Sequence, residues 1–178
     1  MRICPQVRSY TSAQRLWASE TVCAHPIRCN IREVQRYETL NGMKISKVHH
    51  TAIICSDYRR SLRFYTEVLG LQLIAEHYRS DRDSYKADLA LNGEDVIELF
   101  SVPNPPERLS RPEAAGLRHL AFAVEDIDTA VGEIAAHGIE CEAIRTDGYT
   151  GCRFTFFADP DGLPIEFYET SPSSTSKE

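Results

Sequence analysis

The sequence predicts an α+β domain made of one strand–helix–strands unit used twice, and three observations carry that prediction. Short apolar runs alternate with polar residues and break at Asn-Gly and Asp-Gly pairs. Two stretches place apolar residues at helical spacing between an aspartate and a glycine. The second half of this pattern then repeats the first at a nearly constant offset.

In the first unit, VHHTAIIC alternates as a strand. Ser56 and Asp57 are capping residue types, and Tyr58, Leu62, Tyr65 and Leu69 recur on one helical face. Gly70 ends that helix. Three strands follow near Leu71 to Tyr78, Tyr85 to Leu91 and Val96 to Val102, with Asn92-Gly93 as a hairpin turn. The Pro-rich stretch Pro103 to Gly116 links the units.

In the second unit LRHLAFAV is the strand, Asp126 caps a helix carrying Ile127, Val131 and Ile134, and Gly138 ends it. Strands near Glu140 to Ile144, Arg153 to Phe157 and Leu163 to Tyr168 complete the copy, with Asp159-Pro160-Asp161-Gly162 as the turn. The register is strict: 119 − 50 and 126 − 57 are both 69 for the paired His and Asp, while 138 − 70 and 166 − 98 are both 68 for Gly and Glu.

The patterned region is about 43–170, with units at about 45–102 and 117–169. Residues 1–42 hold six arginines and three of the cysteines but no sustained periodicity. They are expected to be a disordered extension or an upstream start outside the native protein, because Met43 immediately precedes the first patterned strand. Their Arg-rich opening superficially resembles a transit peptide and lacks the apolar region of a secretory signal. Residues 171–178, ending SPSSTSKE, read as a disordered polar tail.

Composition narrows the partners. A formal charge of −6 argues against nucleic acid and anionic lipid, and no apolar run approaches bilayer length. Cys4, Cys23, Cys29, Cys55, Cys141 and Cys152 form no CxxC pair, so a disulfide scaffold is not indicated and a cytoplasmic setting fits. Cys55 and Cys141, in apolar runs, read as small core residues.

Four residues stand out against this frame. Ile97 and Leu99 flank Glu98, Ile165 and Phe167 flank Glu166, and Leu120 and Phe122 follow His119. Those apolar neighbours belong on the helix-covered face, which turns His50, Glu98, His119 and Glu166 to the opposite one. Ala52 and Ala121, two residues beyond each histidine, keep that face shallow. A lone strand histidine is ordinarily a half-buried polar side chain, and a lone strand glutamate ordinarily faces water. A His/Glu pair repeated in fixed register is different, because two carboxylates brought together by pseudo-symmetry repel unless a cation joins them. Two imidazoles complete a mixed N/O set for one divalent metal: nickel, cobalt or zinc, with manganese or iron also compatible. His49 is expected to face the helices as a structural residue, and His25, His77 and His137 have no repeat partner. Phe100 and Tyr168 share the candidate face and either line a cavity or simply pack. Tyr149, Arg145 and Arg153 flank the Gly-rich loop Asp147 to Gly151, while Arg59, Arg60, Arg63 and Glu67 read as a solvated helix face.

With these residues in view, the chain resembles the vicinal oxygen chelate superfamily, which includes glyoxalase I, extradiol dioxygenases, fosfomycin-resistance thiol transferases, methylmalonyl-CoA epimerase and bleomycin-binding proteins. RDSYKADLALNG, IELFSVPNPPERLSRPEAAGLRHLAF and RFTFFADPDGLPIEFYE are similar to the small bacterial glyoxalase I-like subgroup labelled YaeR. The resemblance implies paired βαβββ modules forming a cupped mixed sheet around a metal site, and a homodimer. The His, Glu, His, Glu order resembles glyoxalase I, a lactoylglutathione lyase acting on a thiol hemithioacetal, and implies Glu166 or Glu98 as the proton-transferring base. Bacterial enzymes of that type commonly carry Arg four residues after the first His and Asn four after the first Glu; here Ile54 and Val102 stand there, leaving the thiol cosubstrate open. Two other functions remain in view: a non-catalytic drug- or metabolite-binding protein using the same cup, and a metal-dependent dioxygenase, which a fourth ligand disfavours.

Overall fold

Alternation and capping act where the sequence places them. The computed structural model describes residues 44–170, so the expectations for residues 1–42, with Cys4, Cys23, Cys29 and His25, and for the tail 171–178 lie outside the described residues. The first module runs β1 (Thr51–Cys55), α1 (Tyr58–Arg63), a π-helical turn (Phe64–Val68), β2 (Gln72–Arg79), β3 (Ser84–Leu91) and β4 (Glu94–Ser101). The second runs β5 (Leu120–Val124), α2 (Ile127–Ala136), β6 (Arg145–Thr146), β7 (Arg153–Ala158) and β8 (Pro164–Glu169). Each module forms its own four-stranded mixed sheet, in the orders β1-β4-β3-β2 and β5-β8-β7-β6. The fold is therefore the expected pair of βαβββ modules in an α+β chain.

The equivalence extends to caps and stops. Asp57 accepts from the Arg60 amide at 3.0 Å and Asp126 from the Thr129 amide at 2.7 Å, so each satisfies an orphan donor of its helix. Gly70 and Gly138 sit at φ +73° and +74°, a left-handed conformation that side chains resist, and each turns the chain out of its helix.

Two expectations need correction. No strand forms over residues 140–144; only Arg145 and Thr146 pair with β7. The preceding segment is fastened to β7 by single bonds instead, from the Glu142 amide to the Phe156 carbonyl and from the Thr155 hydroxyl to the Glu142 carbonyl. The first helix widens into a π turn after Arg63, and this helix–turn segment buries Phe64 and Tyr65.

Core and face separate cleanly. Ala87, Leu89, Ile97 and Leu99 of the first sheet, with Ile165 and Phe167 of the second, lie against Tyr58, Phe64, Tyr65 and Ile134 in one cluster. Each fully buried aliphatic side chain contributes about 1.5–3 kcal/mol. The modules are also joined by polar contacts. The Tyr65 hydroxyl donates to the buried Asp159 carboxylate at 2.8 Å, and that carboxylate also accepts the amides of Asp161 and Leu163. Arg60 reaches the Pro160 carbonyl at 3.0 Å, so it ties the modules together and is more than part of a solvated face.

Glu169 gives a stability test. It receives Arg153 on both oxygens, at 2.6 and 3.0 Å, and its carboxyl is held below the ordinary value of 4.5 chiefly by that guanidinium. A depressed folded pKa contributes stability that is complete above pH 4.5 and is lost as the pH falls through the folded value. Glu169→Gln is expected to cost about 1.5–3 kcal/mol at neutral pH and to flatten the acid limb below pH 4.5. Equal acid limbs for the two proteins in thermal melts across pH would contradict this.

Candidate metal centre

Parallel pairing places the four candidate ligands in equivalent positions. Ala52 pairs with Glu98 and Ala121 with Glu166, and each histidine lies two residues before its alanine, just ahead of the strand. Both pairs form. His50 Nε2 lies 3.4 Å from Glu98 Oε2, and His119 Nε2 lies 3.0 Å from Glu166 Oε2. Ile97, Leu99 and Ile165 are buried on the opposite face, as alternation predicts.

The single chain does not bring the two pairs to one point. Among the described residues, no group of three or more His, Cys, Asp or Glu side chains is arranged to hold a metal ion. The chain presents two separate His–Glu pairs, one per module. β1 and β5, the strands that follow the two histidines, are each an outer strand of their own sheet.

His49 departs from expectation. It is exposed, and its Nδ1 lies 2.9 Å from Nδ1 of His50. Strand pairing begins only at Thr51, so the alternation that would have turned His49 inward does not reach it. His77 and His137 are exposed.

Lys86 and Asp88 belong to the site although sequence reasoning passed them by. Asp88 pairs with Glu98 across β3 and β4, and Lys86 with Phe100. Lys86 Nζ lies 2.9 Å from Glu98 Oε1 and 2.6 Å from Asp88 Oδ1, and these carboxylates raise its pKa, Asp88 foremost. The signal was present in SYKADLAL, where Lys86 and Asp88 alternate with the core residues Ala87 and Leu89. At the equivalent positions of the second module stand Phe154, paired with Tyr168, and Phe156, paired with Glu166. Glu98 is thus gripped by an ammonium, while Glu166 lies beside an aromatic ring.

Tyr168 lines a cavity with His119, Glu166, Phe154 and Phe156. Its hydroxyl donates to Asp147 at 2.9 Å and meets Thr150; burial pushes the phenol's pKa up. Asp147 is held low by the Tyr149 amide and then by Tyr168. Phe100 packs under the cations of Arg79 and Lys86. Tyr149 is exposed. Burial pushes the Cys55 thiol up to about 11, Cys152 is buried, and half-buried Cys141 packs against the core, so all three read as packing residues.

The donor set fits a divalent ion. Imidazole nitrogen and carboxylate oxygen lie on the same face at closely similar spacing in both modules, and Lys86 takes one oxygen of Glu98 while the other stays beside His50. No helix among the described residues is long and apolar enough to cross a membrane.

Known proteins are similar to this chain in sequence and in fold. The protein YaeR of Escherichia coli K12 is 62% identical over 125 residues, covering 70% of this chain and 97% of its own. YwkD of Bacillus subtilis 168 is 63% identical over 127 residues, covering 71% and 99%. The crystal structure of a glyoxalase family protein from Enterococcus faecalis is 43% identical with a TM-score of 0.67, covering 71% of this chain and all of that one. More distantly, a lactoylglutathione lyase of Haemophilus influenzae is 29% identical over 145 residues, covering 72% and 96%. The family model matches residues 47–167, a span that includes both His–Glu pairs. By its modules and by that match, the chain belongs to the Glyoxalase/Bleomycin resistance protein/Dioxygenase superfamily.

Proposed function

We propose that the protein is a metal-dependent lyase or isomerase of glyoxalase I type, working as a homodimer in which His50 and Glu98 of one copy meet His119 and Glu166 of the other around one divalent ion. The observation that carries this reading is the delivery of two equivalent His–Glu pairs, at 3.4 and 3.0 Å, that stay apart within one chain. A two-fold pairing that sets β1 of one copy beside β5 of the other joins the half-sites twice over and covers the free strand edges. Ile54, on the ligand face and 58% exposed, fits such a covered surface.

A divalent ion held there, with nickel, cobalt or zinc the best matches to the donors, supplies Lewis acidity that stabilises negative charge on a substrate oxygen. The protein's own groups do the rest. Lys86 holds Glu98 in place through Oε1 and leaves Oε2 beside His50. Glu166 has no ammonium or guanidinium within 4.0 Å among the described residues, so it is the carboxylate free to take a proton from the substrate carbon and return it to the neighbouring one. Phe156 stands edge-on to His119 and limits its movement. Ala52 and Ala121 leave room for the substrate.

The test is metal analysis and sedimentation of the purified chain, followed by turnover of methylglyoxal with glutathione and with other thiols. The expected result is one metal per chain, a dimer, and conversion of a thiol adduct. A metal-free protein with no turnover would point to the non-catalytic binding reading instead.

A further inference from the structure

Arg145 and Arg153 flank the same loop, yet the fold uses them differently. Arg153 is committed: its guanidinium is bound to Glu169 and Asp128. Arg145 is not. Its pairing row runs from Phe154 to Tyr168, and the next row runs from Phe156 to Glu166 and Ala121, so Arg145 stands on the face that carries His119 and Glu166. Its guanidinium carbon lies 5.0 Å from the Phe154 ring centre and 5.4 Å from that of Phe156. Two aromatic faces therefore hold a cation beside the half-site.

Two cavities share this wall. One, of about 470 Å³, lies beneath the linker, and the other, of about 400 Å³, reaches Glu166 and Tyr168; Arg118, His119, Arg145 and Phe156 line both. The only carboxylate paired with Arg145 among the described residues is Glu142, at 2.9 Å, with both side chains about half exposed. Such a pair is screened by water and exchanges readily for a better-placed anion. Arg118, whose guanidinium lies 2.8 Å from Glu113 and 3.3 Å from His119 Nδ1, adds positive potential at the junction of the cavities.

We propose that Arg145 anchors an oxyanion group, a carboxylate or phosphonate, carried by the substrate at the end away from its reacting oxygens. The substrate class is thereby an anionic one. This deepens the metal-site reading and takes its setting from it. The planar fork offers two parallel N–H donors, and the rings beneath restrict it to a narrow range of directions.

Three hydroxamates test the anchor on the nickel-loaded full chain, because each presents two adjacent oxygens to the metal. Acetohydroxamate is neutral at its far end, succinate monohydroxamate carries a carboxylate, and phosphonoacetohydroxamate a phosphonate. One or both anionic probes should bind about tenfold tighter than the neutral one, and Arg145→Gln should remove that preference while leaving acetohydroxamate affinity within about twofold. Whichever anion gains more identifies the group. Arg145→Lys should recover only part of the preference, since it keeps the charge but loses the fork. Equal binding of all three by the native protein, or a preference that survives Arg145→Gln, overturns the anchor and leaves the metal reading intact. A chain that takes up no nickel overturns the metal reading. The anchor is then decided on the metal-free chain by titrating methylphosphonate and acetate against the Arg145 Nε–H resonance: a saturable shift supports it and an unmoved resonance overturns it.

Discussion

Replacing Glu166 by glutamine is expected to lower kcat by 10²–10⁴-fold while moving the melting temperature by no more than a few degrees. Glutamine keeps the shape and can still accept a hydrogen bond, but it cannot take a proton from carbon. The side chain is partly exposed beside His119, so little packing depends on its charge. Glu98→Gln is expected to lower activity too, by another route: it removes the anion that Lys86 and His50 hold, and metal occupancy falls with it. Steady-state kinetics with metal analysis of both variants separates the effects. Full activity in both proteins would refute the assignment of either carboxylate to the chemistry.

The second large effect is complementation between dead proteins. A variant with His50→Ala and Glu98→Gln loses the first half-site, and one with His119→Ala and Glu166→Gln loses the second; each alone is expected to be inactive. When both are expressed in one cell, a mixed dimer holds one site with both pairs broken and one with both intact. Random assortment makes half of the dimers mixed, so about a quarter of native activity should return. If the halves instead close on the metal within one chain, the mixture stays dead. The experiment depends on no particular substrate, because nickel content can be read in place of turnover.

Much of this molecule was legible before any coordinate. The constant offset between halves, the capping aspartates at 57 and 126 and the stop glycines at 70 and 138 follow local rules, and local rules are what a sequence displays most directly. The candidate face was readable because Ile97, Leu99, Ile165 and Phe167 are hidden and the residues between them must point the other way. The misses share a cause: they depend on partners distant in the chain. His49 was misplaced because the extent of β1 is set by where β4 begins to pair. The stretch 140–144 has strand-like composition, but its partner β7 accepts it through single bonds rather than a ladder. Lys86 drew no reading from the sequence, because its role depends on β4 bringing Glu98 beside it. The separation of the two His–Glu pairs was invisible, since nothing in a duplicated pattern says whether the two copies face each other within one molecule.

The bond from Tyr65 to Asp159 has a consequence for the protein's handling. The two halves share one core, so neither is complete without the other. Severed from its neighbour, the first half would bare Phe64 and Tyr65 to solvent, and the second would lose the apolar cover over Phe157, Ile165 and Phe167 together with the Tyr65 bond to Asp159. Expressing either half alone is therefore a route to insoluble material, and a protease nick in the linker leaves two fragments that stay together.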